Sequence, residues 1–279
     1  MNNRADLHTH TTASDGRHTP EENVRMAQEA GLAAIAITDH DTVAGVADAL
    51  RAGLRYGVVV VPGVELGTSA NGKDVHILGY GVALEDERWL NRLRELREAR
   101  DRRNDRILEN LAALGMPILT EELAAAAGRS SRKDKSVGRP HIAQAMVDKG
   151  FAADLREAFD LWLGEGKPAY ARQSRISPRE AIEWIREAGG KAIVAHPGIY
   201  GDDDLVLSLL DQAADGLEAY HPDHDEEQAR RYAEWAASRG KLVTGGSDFH
   251  GIRDGEAYHG AIGSFTADAG VAELLLARE

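Results

Sequence analysis

Short apolar runs that follow amphipathic segments and stop at polar or Gly/Pro residues constrain the fold of this 279-residue chain more than any other feature. AAIAITDH (33–40), VVVVPGVEL (58–66) and KAIVAHPG (191–198) are such runs. They are short, and too uniformly apolar for strands with one wet face, as expected of strands buried on both sides. The segments between them have helical character. PEENVRMAQEAGL (20–32) has Pro near its start and Gly31 as its stop, and VAGVADALRAGLRYG (43–57) repeats the pattern. SPREAIEWIREAGG (177–190) begins Ser-Pro and ends Gly-Gly, and HDEEQARRYAEWAASRG (224–240) leads into KLVTGGSDFH (241–250). The alternation predicts an α/β fold of buried parallel strands, as a barrel or an open sheet.

The middle of the chain breaks this rhythm. EDERWLNRLRELREARDRRNDRILENLAALG (85–115) is one long charged helical pattern. Trp89, Leu93 and Leu96 make one apolar stripe, and Ile107, Leu108, Leu111 and Leu114 another. TEELAAAAG (120–128) and RPHIAQAMVDKG (139–150) read as two further helices, with RSSRKDKSVG a polar loop between them. The expected division is a core domain over 1–82 and 173–279, with a helical insertion at 83–172. The arginine-rich part, REARDRRNDR (97–106), also holds Glu98, Asp101 and Asp105, and reads as a solvated face of i,i+4 pairs with room for one or two arginines to turn inward.

A net charge of −13 excludes broad attraction to nucleic acid or anionic membrane, so any phosphate must be met at a focused site. There is no cysteine, so a transition metal would have to be held by His, Asp and Glu. MNNRADLHTH has no apolar signal region, and no run approaches the ~20 apolar residues of a membrane helix. A soluble cytoplasmic protein with no membrane association and no stable protein partner is expected.

The His and carboxylate residues collect at the ends of the expected strands, where α/β folds build their sites. His8 and His10 in DLHTHTTASDG would share one face of an extended segment. Asp15 before Gly16 is, by itself, a turn residue. In ITDHDT, Asp41 or Thr42 suits a helix N-cap and His40 a metal. Glu65, ending an apolar strand, needs a partner or a cation. His76 in DVHILGYG suits a core histidine or a ligand equally, and His196 precedes Pro-Gly. Asp248 and His250 repeat the spacing of His8 and His10. Of the remaining histidines, His18 is expected at the surface and His259 away from the site.

Taken in order, DLHTHTTASDG, ITDHDT, PGVELGT, DVHILGYG, GRPHIA, AHPG and GGSDFHG resemble the motif series of the PHP (polymerase and histidinol phosphatase) phosphoesterases, in particular the TrpH-like branch of small nucleotide phosphatases and 5′-to-3′ exonucleases. The resemblance spans about residues 4–251. It implies a distorted (β/α)7 barrel, TIM-barrel-like, with an inserted helical domain over the site, and three divalent metal ions: manganese (Mn2+), with iron (Fe2+) or zinc (Zn2+) as alternatives. Carried over by residue, His8, His10, Glu65 and Asp248 would hold the first metal. Glu65 would bridge to a second completed by His76 and His196, and Asp15, His40 and His250 would hold the third. The resemblance also implies substrate-phosphate contacts from Arg139, His141 and His224; His221 has no clear match. Read from the residues alone, Pro140 makes 139–141 an ordinary helix entry. After GKPAY the chain reads ARQSRIS where relatives often continue Val-Pro, a departure that bears on substrate shape more than on metals.

The chemistry of this set agrees with the resemblance. Six imidazoles and three carboxylates suit borderline metals better than calcium or magnesium. Three dications against three carboxylates leave a formal charge of about +3, which favours a phosphate dianion. A metal-bridging hydroxide held at Glu65, with His8, His10 and Asp248, would be the nucleophile. The expected activity is phosphate removal from a nucleotide, foremost the 3′-phosphate of a 3′,5′-nucleoside bisphosphate, with short RNA as a further substrate. Histidinol-phosphate phosphatase is the near alternative. A polymerase-associated PHP binding or proofreading module and a metal-storage protein are the alternatives of another class.

Overall fold

The structure, a computed structural model, describes residues 3–128, 134–253, 256–257 and 259–277, so part of the loop expected at 129–138 lies outside the described residues. Its strands are β1 (Arg4–Asp6), β2 (Ala34–Ile37), β3 (Val59–Ala70), β4 (Lys73–Tyr80), β5 (Lys191–Val194), β6 (Gly216–Tyr220), β7 (Leu242–Gly245), a small hairpin of β8 (Ile252–Arg253) and β9 (Glu256–Ala257), and β10 (Ala267–Asp268). Its α-helices are α1 (Pro20–Glu29), α2 (Val46–Tyr56), α3 (Glu87–Ala113), α4 (Thr120–Ala126), α5 (Arg139–Asp148), α6 (Leu155–Ala158), α7 (Pro178–Glu187), α8 (Asp203–Gln212), α9 (Glu226–Ser238) and α10 (Ala269–Leu276).

Eight strands form one sheet in the order β10-β1-β2-β3-β4-β5-β6-β7. Just past β7 and β1 the edges meet. Leu7 N–H donates to Gly245 O at 3.0 Å, His10 N–H donates to Phe249 O at 2.9 Å, and Thr9 and Phe249 form a parallel bridge. The result is a nearly closed, mixed eight-stranded barrel. Where the expected rhythm holds, the local chemistry is visible. All four residues of β2, AIAI, are buried. α1, α7 and α9 open on reciprocal capping pairs, Thr19/Glu22, Ser177/Glu180 and Asp225/Gln228, with proline in the first turn of α1 and α7.

Two departures from the expected pattern matter for the site. First, β4 runs antiparallel to both neighbours. It pairs with β3 from Gly63↔Tyr80 to Ala70↔Lys73 across a two-residue turn, Asn71-Gly72, with both φ angles positive at 52° and 79°. A hairpin thus stands where uniformly parallel strands were expected, and β10 adds a second antiparallel edge against β1. Second, α3 joins two cores. Trp89, Leu93 and Leu96 pack with Ile77, Ile182 and Val194 on the barrel, whereas Ile107 and Leu111 pack with Ile142, Met146 and Leu163 in a separate helical cluster. Between the two stripes, Arg100, Arg103 and Asn104 are buried, which corrects the solvated reading of 97–106. Only the outward residues of that segment, among them Arg102 and Arg106, are exposed.

Candidate metal centre

The barrel end at which the parallel strands finish gathers all nine candidate ligands. Past β1, Thr9 is pinned between strands by Thr9 Oγ1–H donating to Ala36 O at 2.6 Å and Thr38 N–H donating to Thr9 O at 3.0 Å. That leaves His8 and His10 turned together to the inside, with their Nε2 atoms 3.2 Å apart. The loop carrying Asp15 is shaped by buried Asp39, which accepts from Thr11 N–H (2.8 Å), Thr11 Oγ1–H (2.7 Å) and Ser14 Oγ–H (2.6 Å). Tyr200 Oη accepts from His76 N–H at 2.9 Å and donates to Ala195 O at 2.6 Å, tying β4 to the turn that bears His196.

Glu65 lies at the middle of the cluster, and its two oxygens face different groups. Oε1 is 2.6 Å from His76 Nδ1 and 3.1 Å from His196 Nε2. Oε2 is 3.5 Å from His8 Nε2, 3.3 Å from His10 Nε2 and 3.1 Å from His40 Nδ1. Asp248 Oδ1 lies 3.3 Å from His8, 3.1 Å from His10 and 3.6 Å from His250. Asp15 faces His10 (3.7 Å), His40 (3.8 Å) and His250 (3.5 Å).

These atoms fit metal ions. Ligands about 2.0–2.1 Å from one ion stand roughly 3–3.4 Å from each other, near the spacings seen here. Buried Asp15 Oδ1, Asp248 Oδ1 and His40 Nδ1 have no hydrogen-bond partner of acceptable geometry, although each faces the cluster. His10 Asp15 His40 His250, His8 His10 Glu65, and His40 Glu65 His76 each bring their ligand atoms within 4.8 Å of one another. The set is a buried, multinuclear, oxygen-and-nitrogen metal site.

The electrostatics show the same demand for positive charge. Burial alone would raise the Glu65 carboxyl, but His40, His76 and His8 reverse this and hold it well below the usual carboxylate range. Asp248 and Asp15 behave alike, with His8 and His250 around the first and His40 and His250 around the second. Burial disfavours a charged His10, yet Asp248 and Glu65 lift it to about 10. His40, where burial wins, is pushed down to about 3.

Beside the centre a cleft of about 1400 Å3 continues toward the helical cluster. Arg100, Arg103, Arg139, His141 and Arg175 line it. Arg175 Nη1 lies 2.6 Å from Asp74 Oδ1 and Arg139 Nη2 lies 3.6 Å from Asp74 Oδ2, whereas Arg103 Nη2 is buried without a partner. Burial, then Arg100, Arg139 and Arg175, push the Arg103 guanidinium down to about 8. A guanidinium surrenders its proton reluctantly, so the imbalance is one that an anion would relieve. His141 Nδ1 accepts from Gly138 N–H at 3.0 Å, which leaves the proton on Nε2 in the neutral ring.

Several expectations are corrected. His224 does not line the cleft: its Nδ1–H donates to Ala219 O at 2.8 Å and its Nε2 accepts from Gly198 N–H at 3.0 Å, so both ring nitrogens brace backbone. Neither Asp41 nor Thr42 caps α2, whose N-cap Gly45 has no side-chain bond. Instead Asp41 pairs with Arg100, whose Nε donates at 3.1 Å, and Thr42 Oγ1–H donates to Asp134 O at 2.7 Å. His259 is not remote: its Nδ1 is 3.8 Å from both Asp248 and Asp223. His18 is half-buried, stacked on Phe249 with ring centroids 5.6 Å apart. The residues that sequence reasoning missed are Arg103, Arg175 and Glu218. Glu218 is fully buried, accepts from His8 Nδ1–H at 3.0 Å and from His196 N–H at 2.8 Å, and its only sequence signal is a lone carboxylate inside the apolar GLEAY.

The family model described as PHP domain matches residues 6–243. The chain is 32% identical over 255 residues to a 3′,5′-nucleoside bisphosphate phosphatase from Chromobacterium violaceum, covering 90% of this chain and 88% of that one. It is likewise 32% identical over 255 residues to a 5′-3′ exoribonuclease from Haemophilus influenzae, covering 90% and 91%. A solved structure from Bifidobacterium adolescentis, described as a metal-dependent phosphoesterase, superposes with a TM-score of 0.89 at 30% identity, covering 98% of this chain and 95% of that one. No helix among the described residues is long and apolar enough to cross a membrane.

Proposed function

The chain belongs to the PHP domain family of metal-dependent phosphoesterases, and on that footing we propose that it removes the 3′-phosphate of 3′,5′-nucleoside bisphosphates to leave a 5′-nucleotide. The observation that carries this reading is the arginine pocket beside the metal centre, where Arg139 and Arg175 pair with the carboxylate of Asp74 and Arg103 Nη2 is buried beside them without a partner. A substrate with one phosphate would leave these charges unmatched. One with two phosphates answers both the centre and the pocket.

The site would take three ions, with manganese foremost on the family resemblance alone, since His and carboxylate donors accept several divalent metals. His8, His10, Glu65 and Asp248 would hold one, Glu65 with His76 and His196 a second, and Asp15, His40 and His250 the third. The division of Glu65 between Oε1 and Oε2 neighbours supports its bridging role. Bound divalent ions supply charge for the phosphoryl oxygens and a nucleophilic water at neutral pH. The chain supplies position. Arg139 is oriented by Asp74 and lies near the rings of Phe159 and Tyr170, 5.9 and 6.0 Å from their centroids. His141 offers its Nε2–H to the cleft.

A second reading follows from the extent of the cleft, which runs on past Arg17, Arg51, Arg55 and Lys135, farther than a bisphosphate requires. A short RNA with its 5′-phosphate in the arginine pocket would lie there, and hydrolysis would break the same O3′–P bond and release the same 5′-nucleotide.

The test is product release by the Mn2+-loaded protein from a 3′,5′-bisphosphate, a 5′-mononucleotide, histidinol phosphate and a 5′-phosphorylated short RNA. The bisphosphate is expected to lead. Arg103→Met and Arg139→Ala are each expected to lower its kcat/KM by about 10–100-fold, the loss of one charge-assisted hydrogen bond, and to leave hydrolysis of a generic aryl phosphate far less affected. Equal turnover of bisphosphate and mononucleotide, or equal losses on both substrates, would sink the reading.

A further inference from the structure

We propose that His221 is a positioning residue that fixes which oxygen of Asp248 faces the metal centre. His221 directly follows β6 and is wholly inaccessible. Its Nδ1 accepts the N–H of Asp223 at 3.1 Å, so the lone pair is on Nδ1 and the proton of the neutral ring is on Nε2. That Nε2 is buried, has no hydrogen-bond partner of good geometry, and points at Asp248 Oδ2 from 3.5 Å.

Proximity alone would allow another reading, because His8, His221 and Asp248 bring ligand atoms close enough to hold an ion. The tautomer argues against it. A ring nitrogen that carries hydrogen has no lone pair for a metal. His8 is the contrasting case: its Nδ1–H goes to Glu218 and leaves Nε2 bare toward the centre. His250 Nδ1 lies 2.8 Å from Asp248 O, the same arrangement, with Nε2 turned to Asp15. His221 is wired the opposite way, as a donor.

Asp248 needs such a donor. Its backbone sits at φ 50°, in the left-handed region that a residue with a side chain keeps only where its surroundings hold it there. Its Oδ1 faces His8, His10 and His250, whereas Oδ2 faces buried His221 at 3.5 Å and, farther off, His259 at 3.8 Å. Tethering Oδ2 presents a single oxygen inward and stops the carboxylate from turning. Glu218 does the corresponding service for His8, so β6 and the residue after it contribute no ligand but two of the groups that orient ligands.

The test reads metal binding, and so does not depend on which phosphate ester is the substrate. Zn2+ is titrated against a chromophoric chelator for the native protein, His221→Ala and His221→Gln. His221→Ala is expected to lose about 10–100-fold in affinity for one equivalent, and His221→Gln, which keeps an N–H donor, to recover most of it. A long-range 1H–15N spectrum of the Zn2+-loaded native protein is expected to show His221 protonated on Nε2 and bare on Nδ1, and it decides the matter even should a variant fail to fold. Unchanged affinity in His221→Ala, a loss that Gln does not restore, or an Nδ1-protonated ring would each overturn the proposal.

Discussion

A carboxylate buried within an apolar strand requires positive charge around it, and Glu65, inside β3 and not at its end, finds imidazoles on both of its oxygens. The same demand predicts how protons and metals compete. Against the opposing effect of burial, Asp248 and Glu65 lift His10 to about 10, so its ring binds a proton before any metal arrives. That proton must leave for the nitrogen to ligate. Affinity for a divalent ion is therefore expected to rise with pH through neutrality and to level off only as pH nears about 10. Calorimetric titration in two buffers of different ionisation enthalpy would detect the released protons, and buffer-independent heats would contradict the account. Glu218→Gln removes the charge behind His8 and should weaken metal binding by about 10–100-fold, seen as reduced metal content after dialysis. The nine candidate ligands were named in the sequence partly from their chemistry and placement and partly from the family resemblance, since Asp15 by itself reads as a turn residue and His76 equally as a core histidine. Glu218, His221 and Arg103 were not. A group that orients another is recognisable only once its partner is in view, and Arg103 in RDRRNDR looks no different from its exposed neighbour Arg102.

Strand ends carry the site only because neighbouring backbones come very close. A Cβ on Gly246 would lie 2.3 Å from His8 Cβ and 2.4 Å from His8 N. Gly246→Ala is thus expected to destabilise the fold by about 1–3 kcal/mol and to reduce bound metal by displacing His8. A variant with native melting temperature and native metal content would show that the contact is not needed. The βα rhythm was readable because buried strands and capped amphipathic helices each have their own period. The hairpin of β3 and β4 was less so. VVVVPGVEL reads as a buried strand whether its neighbour runs parallel or antiparallel, and the deciding clue is the short Asn-Gly turn farther on. The two apolar stripes of α3 were also legible, but not that they serve different cores, because a stripe specifies a face and not what covers it.

At the scale of the molecule, the 27 residues of α3 span about 40 Å and hold the barrel core at one end and the helical cluster at the other. The two cores are expected to unfold together. Calorimetry of the metal-loaded protein should give one transition, and Leu96→Ala and Leu111→Ala, one in each core, should each lower that same transition by about 2–5 kcal/mol of stability; two separate peaks would refute the coupling. The acidity of the whole chain said only that phosphate must be met locally. Where it is met depends on contacts between segments as far apart as Asp74 and Arg175, which no local pattern encodes. On β4, His76 faces the metal centre and Asp74, two residues earlier on the same side of the strand, holds the arginines. Their Cα atoms are about 7 Å apart along a ladder that fixes the interval. The hairpin is in effect a caliper cut to one setting: it gauges the gap between two charges and takes no measure of whatever hangs between them.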